Sequence, residues 1–353
     1  MPSTNKRISI AELAAQLGLS TSTVSRGLSD HPSISEATKA RVRQLAQELN
    51  YLPNSLAAAL RKGRSNTVGV IVPHINGYFF PAVMNGIEKI ASRAGFNVMM
   101  CQSNEDIRRE RQNVEALLAS QVEGILVSVS KGTDLDLNHF RQVQQQGTPL
   151  IFFDRMPDLP GSTAVVLDDH LGAYDAVTHL IRQGCRRIAH FAGPQHLNTS
   201  RNRYLGYLAA LEAHGLPFDE RLVYSLPRSN QESGRDGMDY LMGLAERPDA
   251  VFAAYAFPAV GALEVLESHH IRVPQDFAIA CFSNEPFTTM THPRLTAVDQ
   301  RGEQMGETAV NLLLQILKRS PNYSPPRIVL KPQLMLRESS LFGQEAPLIQ
   351  REF

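Results

Sequence analysis

Cysteine is scarce in this chain: there are three in 353 residues, Cys101, Cys185 and Cys281. An odd, scattered set, each member inside an apolar stretch, argues against a disulfide framework or a thiolate metal site and predicts free thiols in a core. No apolar run reaches membrane-spanning length. Residues 1–7 are polar, so no secretory leader is expected and the chain is expected to be cytoplasmic. Net charge is absent as well, because 35 Lys and Arg balance 35 Asp and Glu. That balance argues against a protein that coats nucleic acid along its whole length. Enzyme signatures are also missing: there is no Walker loop, nucleophile elbow or zincin helix. His190, His196, His269 and His270 do not recur with carboxylates at metal-ligand spacing. Neither a metal nor a cofactor is expected.

What is present begins with charge segregation. Residues 1–64 hold nine Lys/Arg and four Asp/Glu, a net of +5, which leaves 26 basic and 31 acidic residues, a net of −5, for residues 65–353. Positive charge gathered at one end is the footprint of a phosphate-binding module. Within it, Ser9-Ile10-Ala11-Glu12 reads as a capping box. Ile10, Leu13, Ala14 and Leu17 follow at helical spacing, and Gly18 offers the left-handed stop. Ser20 can then cap a second short helix, roughly 21–28, with Val24 and Leu28 inward. Its outer face carries Thr21, Ser22, Ser25 and Arg26. Helix, tight glycine turn, helix with a short-polar face is the helix-turn-helix pattern. Short donors and acceptors at the start of the second helix suit an approach to base edges in the major groove. Ser20 and Thr23 complete that candidate surface. A third helix, 35–49, has Lys39, Arg41 and Arg43 as candidates for phosphate contact. A small helical cap with solvated Ser and Thr is the plainer alternative, and the charge segregation weighs against it.

Val24-Ser25-Arg26, then Leu49-Asn50-Tyr51-Leu52-Pro53-Asn54, then Ala57 and Leu60, resemble the lactose-repressor/galactose-repressor family of bacterial transcription regulators. The resemblance continues to about residue 340. It implies a homodimer on a palindromic operator, with Asn54, Ser55, Ala57 and Leu60 in a hinge helix that enters the minor groove. Leu60 matches the family's leucine that wedges between base steps, as apolar side chains do when they bend a duplex. The hinge segment is too short to be a stable free helix, so it is expected to fold on DNA.

After the basic linker at 61–66 the chain alternates strand and helix patterns. Strands are expected at 67–72, 96–101, 123–129 and 149–153, and a second set at 164–167, 187–192, 250–254 and 277–282, with helices between. Repeated βαβ units predict an α/β fold with parallel sheets flanked by helices, in two lobes. The resemblance implies the periplasmic-binding-protein-like version, in which the chain crosses between lobes three times. The expected organisation is a DNA-binding domain at 1–52, a hinge and linker at 53–66, an effector-binding and dimerisation domain at 67–340, and a tail at 341–353. Lobe 1 is expected at about 67–164 and 296–326, and lobe 2 at about 165–295 and 327–340.

Ligands of such sheets bind in the cleft outside the carboxyl ends of the strands. The segments directly after strands are therefore the candidates: 74–80, 154–155, 198–203, 255–257 and 283–287. From these we take His74, Phe79, Phe80, Asp154, Thr199, Arg203, Tyr255, Ala256 and Asn284 as the expected effector site. Phe79 and Phe80 suit an aromatic platform, although helix-start aromatics also fill cores. Arg203 matches the family's effector-binding arginine, whose fork can clamp carboxylates or vicinal hydroxyls; a surface or interlobe salt bridge is its alternative role. Two departures stand out. Ala256 occupies a position where the family carries an aspartate, and Cys281-Phe282-Ser283-Asn284 replaces a Gly-aromatic-Asp-Asp/Asn pattern. Loss of two carboxylates predicts poor binding of simple hexoses and leaves open a larger, more apolar or acidic effector, a partner protein, or no effector at all. The expected function is a DNA-binding regulator, by family default a repressor, controlled by a small effector such as a sugar derivative. Two alternatives remain: an architectural DNA-bending dimer without an effector, and an α/β enzyme body with a DNA-binding extension. The enzyme reading lacks a glycine-rich turn after Val72, where Pro73-His74-Ile75-Asn76-Gly77 stands.

Overall fold

The computed structural model describes residues 8–51, 65–133, 136–318 and 327–342. The expected hinge residues Asn54, Ser55, Ala57 and Leu60, and the tail beyond 342, lie outside the described residues. The chain divides into two compact units, Met1–Ser65 and Asn66–Phe353.

Among the described residues the first unit has three helices, α1 (Ile10–Leu17), α2 (Thr21–Leu28) and α3 (Glu36–Glu48). Each begins at a serine cap. At α1 the capping box closes fully: the Ser9 hydroxyl accepts from the Glu12 N–H at 3.2 Å, and Glu12 accepts from the Ser9 N–H at 2.7 Å. Gly18 ends α1 with φ +66°, a left-handed conformation that needs glycine. Leu13, Ala14, Val24, Val42 and Ala46 form a small separate core.

The second unit holds two six-stranded sheets built to one plan. In chain order the strands are β1 (Thr67–Val72), β2 (Asn97–Gln102), β3 (Gly124–Val127), β4 (Leu150–Phe153), β5 (Thr163–Leu167), β6 (Ile188–Ala192), β7 (Val223–Ser225), β8 (Ala250–Ala253), β9 (Ala278–Phe282), β10 (Thr296–Asp299), β11 (Ile328–Leu330) and β12 (Gln333–Met335). The first sheet runs β11-β5-β4-β3-β1-β2 and the second β12-β10-β9-β8-β6-β7. All pairs are parallel except β10 with β12. The central strands are buried along their length, as helices on both faces require. The helices are α4 (Phe79–Arg93), α5 (Ile107–Ala119), α6 (Asn138–Gln145), α7 (Asp169–Arg182), α8 (Asn198–Ala213), α9 (Gln231–Met242), α10 (Ala256–Ser268) and α11 (Gly302–Lys318).

Sheet membership corrects the expected lobe limits. β5 pairs with β4 in the first sheet, β10 with β9 in the second, and β11 with β5 in the first. The chain therefore crosses at Asp168, at 300–301 and at 331–332, each time a few residues later than expected. The reason is geometric. The strands run toward the cleft, so the chain leaves a lobe only after the strand is complete. An apolar run announces a strand but does not say which sheet it joins. The plan repeats in detail: Asp154 after β4 and Ser283 after β9 are both left-handed, with φ 57° and 81°. Their N–H groups donate to Val165 and Val298 carbonyls, each at 3.1 Å.

The first lobe is closed by α4 against α11. The contact is glycine on backbone: a Cβ on Gly86 would collide with the Glu303 carbonyl, and one on Gly306 with the Val83 carbonyl. Gly306→Ala should force these helices apart and lower stability by about 1–3 kcal/mol, read as a shifted urea midpoint. An unchanged midpoint would mean that the helices separate freely.

Candidate functional site

In the first unit, α2 presents the expected DNA-reading face. The Ser20 side chain is used locally: its Oγ accepts from the Thr23 N–H at 3.1 Å and meets the Ser22 and Thr23 hydroxyls at 2.8 and 2.9 Å. Thr21, Ser22 and Arg26 are exposed, whereas Thr23 and Ser25 are half-buried. The basic residues of α3 behave differently from expectation. Lys39 is buried, with its ammonium 3.1 Å from Asp30 and 2.8 Å from Glu36. Arg43 pairs with Asp30 at 2.7 Å. These two cations hold α3 to the α2–α3 turn, and Arg41 stays exposed.

In the second unit a cavity of about 670 Å³, its open mouth included, lies between the two sheets. Eight of the nine expected effector residues line it: His74, Phe79, Phe80, Asp154, Thr199, Arg203, Tyr255 and Ala256. The ninth does not. Asn284 is turned away, donating to Asp299 at 2.9 Å and accepting from Arg337 at 2.6 Å. The left-handed Ser283 before it sends the next side chain, Glu285, to the cavity instead.

Three helices begin at this cavity without a cap from their own first residue's side chain: α4 at Tyr78, α8 at Leu197 and α10 at Tyr255. Helix N-termini carry unpaired N–H donors and partial positive charge. Around them the charges are largely settled among themselves. Arg203 Nε donates to Asp169 at 2.8 Å and Nη1 to the Ala254 carbonyl at 2.7 Å. Its guanidinium lies 3.8 Å from the Phe282 ring centre. Arg203 therefore lines the cavity while anchoring an ion pair that is neither at the surface nor between the lobes but buried within the second lobe. Burial pushes the Asp169 carboxyl up and Arg203 pulls it back. Arg155 is held by both oxygens of Glu105, at 2.9 and 3.0 Å.

Burial also raises Asp154, with Arg155 opposing; its Oδ2 accepts from the Ser128 hydroxyl at 3.3 Å. Burial, and after it Arg155, lower the pKa of His74, and its Nδ1 has no partner within the protein. Phe80 is buried in the main core and meets Phe79 and His74 edge-on at 5.1 and 5.2 Å. Phe79 is the more accessible ring. Ala256 is buried at the start of α10 beside the exposed Phe257, which packs on Phe287 at 4.7 Å.

Ser229 and Gln300 also line the cavity and were not expected. Gln300 follows β10, so the rule that flagged the other segments would have reached it had that strand been recognised. Ser229 follows β7, a three-residue strand with no periodic signal. Among the described residues no group of three His, Cys, Asp or Glu is placed to hold a metal ion. Cys185 and Cys281 are buried, their thiols pushed up to about 12, and Cys101 is only half-buried on β2. No helix among the described residues is long and apolar enough to cross a membrane.

Comparison with known proteins follows the same division. Residues 9–54 match the model of bacterial regulatory proteins of the lacI family, and residues 177–340 that of a periplasmic binding protein-like domain. The transcriptional regulator RegA of Clostridium saccharobutylicum is 30% identical over 335 residues, 94% of this chain and 99% of that protein. The transcriptional repressor CytR of Escherichia coli K12 is 31% identical over 304 residues, 86% of this chain and 88% of that one. A solved complex of the transcriptional regulator CelR with cellobiose has a TM-score of 0.71 and 30% identity, covering 94% of this chain and all of that one. The relatives are regulators rather than enzymes, and the exposed α2 face and the two-lobed body are the parts such regulators share. The chain belongs to the lacI family of bacterial regulatory proteins and is a DNA-binding transcription regulator.

Proposed function

We propose that this regulator is a cytoplasmic, nucleoid-associated repressor that binds a palindromic operator as a homodimer and answers to a small effector in the interlobe cleft. The observation that carries the effector half is the cavity itself: uncapped helix starts, accessible aromatics and an unpartnered His74 nitrogen converge on one space. A polar ligand with an apolar face, such as a sugar derivative, suits that lining. Support for the class comes from the cellobiose bound by the related CelR. Ala256 leaves the start of α10 without a carboxylate, so plain glucose or galactose should bind poorly. Support for a dimer comes from β2, an edge strand with Met99 and Met100 exposed, which a second copy would cover.

In this reading Thr21, Ser22 and Arg26 enter the major groove, and Ser55, Ala57 and Leu60 order in the minor groove beside Asn54. Arg26→Ala should cost about 1–3 kcal/mol and relax selection at one base position. Uniform weakening on all sequences in a binding-site selection would show that Arg26 touches only phosphate.

The effector reading is tested by thermal-shift screening of a carbohydrate and metabolite panel, followed by operator titration with each hit. Effector and operator affinities must be coupled reciprocally, typically by about 1–3 kcal/mol. An operator affinity indifferent to every bound metabolite would favour a purely architectural role.

A further inference from the structure

Of the three uncapped helix starts at the cavity, one is already filled from across the cleft. Glu285 belongs to the second lobe, in the loop after β9. Its Oε2 accepts from the Tyr78 N–H, at the start of α4 in the first lobe, at 2.9 Å. The carboxylate is buried, which on balance raises its pKa, and the Tyr78 and Phe79 N–H groups oppose that rise. The Tyr78 side chain makes no cap of its own, so Glu285 supplies one.

The loop that carries Glu285 is itself held. Arg337 is buried, and its guanidinium donates to Asn284 Oδ1 at 2.6 Å, Thr288 Oγ1 at 3.0 Å and the Leu295 carbonyl at 2.8 Å. Asn284 in turn donates to Asp299. Left-handed Ser283 then leaves Glu285 aimed at α4. On the receiving side, Gly77 has φ +85°, a left-handed conformation that favours glycine, and it lies in ordinary contact range of the Glu285 carboxylate.

We propose that Glu285 is a specificity-determining residue of the cleft: its carboxylate is a resident anion at the start of α4, holding the lobes together when no effector is bound and refusing anionic ligand groups at that position. This deepens the effector reading above and rests on it only for the word ligand. A phosphate or carboxylate arriving there meets the same N–H donors already occupied and a like charge beside them. A hydroxyl or ammonium meets an acceptor. The class selected is therefore neutral or amine-bearing, and phosphate esters are refused at this end of the cavity.

The test uses the full chain and no effector. Hydrogen exchange of the segment containing Tyr78 and Phe79 should be about tenfold faster in Glu285→Ala than in the parent, with Glu285→Gln in between because its amide oxygen still accepts. Protection in β3 and β8 should be unchanged, which separates loss of the latch from loss of the fold. Inorganic phosphate, compared with chloride at equal ionic strength, should raise the unfolding midpoint of Glu285→Ala by more than it raises that of the parent. Phosphate binding elsewhere on the chain cancels in that difference. Equal exchange in parent and alanine variant, or equal stabilisation by phosphate, overturns the proposal. Failure of every metabolite in the operator titration would count against the effector reading alone, because neither measurement here depends on one.

Discussion

Replacing Arg203 with alanine is expected to destabilise the second unit by about 3–5 kcal/mol, as removal of one partner from a buried ion pair does. The loss is large because of what remains. Asp169 stays almost fully buried, and the cation 2.8 Å away is gone. The Ala254 carbonyl loses a donor, and the Phe282 face loses the guanidinium above it. Asp169 can escape part of the penalty by taking up a proton, because burial already pushes its carboxyl upward. The damage should therefore shrink as pH falls, and Asp169→Asn added to the alanine variant should restore part of the stability. Urea unfolding at several pH values decides the matter. A loss below about 1 kcal/mol at pH 8 would show that the pair is dispensable, since such values belong to exposed pairs. Arg203→Lys is the variant for binding assays: it keeps a charge near Asp169 while giving up the planar fork.

The second large effect is a loss of stability on mild acidification, centred on His190. This side chain is fully buried on β6, its ring nearly parallel to Tyr207 and Phe252 at 5.0 and 5.2 Å. Nδ1 donates to the Phe252 carbonyl at 2.9 Å, and Nε2 has no partner. Burial, aided by Arg203, lowers its pKa from 6.5 to about 4. The unfolded chain therefore takes up this proton first as pH falls. Stability from the neutral ring is complete above pH 6.5 and is lost between about 6.5 and 4. At pH 5 the deficit should be roughly 2 kcal/mol, following one pKa unit as about 1.4 kcal/mol. Asp169 acts oppositely in the same window, its raised folded pKa favouring the native state as pH falls. The informative quantity is thus the difference between the parent and His190→Phe, in which a ring still fills the stack. If both lose stability equally from pH 7.5 to 5, His190 does not control this limb.

Much of this architecture was written locally. Ser9, Gly18 and Ser20 announced the helix starts and the turn, because a cap needs its particular side chain within three residues. The long apolar strands were visible for the same reason: burial on both faces leaves continuous Val, Ile and Phe. β7, β11 and β12 were not visible, being three residues each and mostly exposed or half-buried, and the four-residue β10 was too short to register although it is buried. Their pairing comes from neighbours far away in sequence. The cleft was legible by rule, since residues after strands had to face it, and eight of nine expected residues do. Asn284 does not line the cavity, because its amide is held by Asp299 and Arg337 after the left-handed Ser283. The pairing of Lys39 and Arg43 with Asp30 was not legible, because it depends on where the turn places that carboxylate. Charge type could be read from the sequence, but charge pairing required the fold.

The three crossings carry a consequence for how the protein is made. β5 and β10 each find their outer neighbours, β11 and β12, only in the segment 328–335. Helix α11, which seals the first lobe, is also late in synthesis. As the nascent chain leaves the ribosome, the small helical unit has its whole core by residue 51 and can fold at once. Both lobes must wait, with apolar strand edges open, until residue 335 has emerged. A stalled or truncated chain would therefore display a finished DNA reader on an unfinished body, with two unpaired edges of the kind that nucleate aggregation.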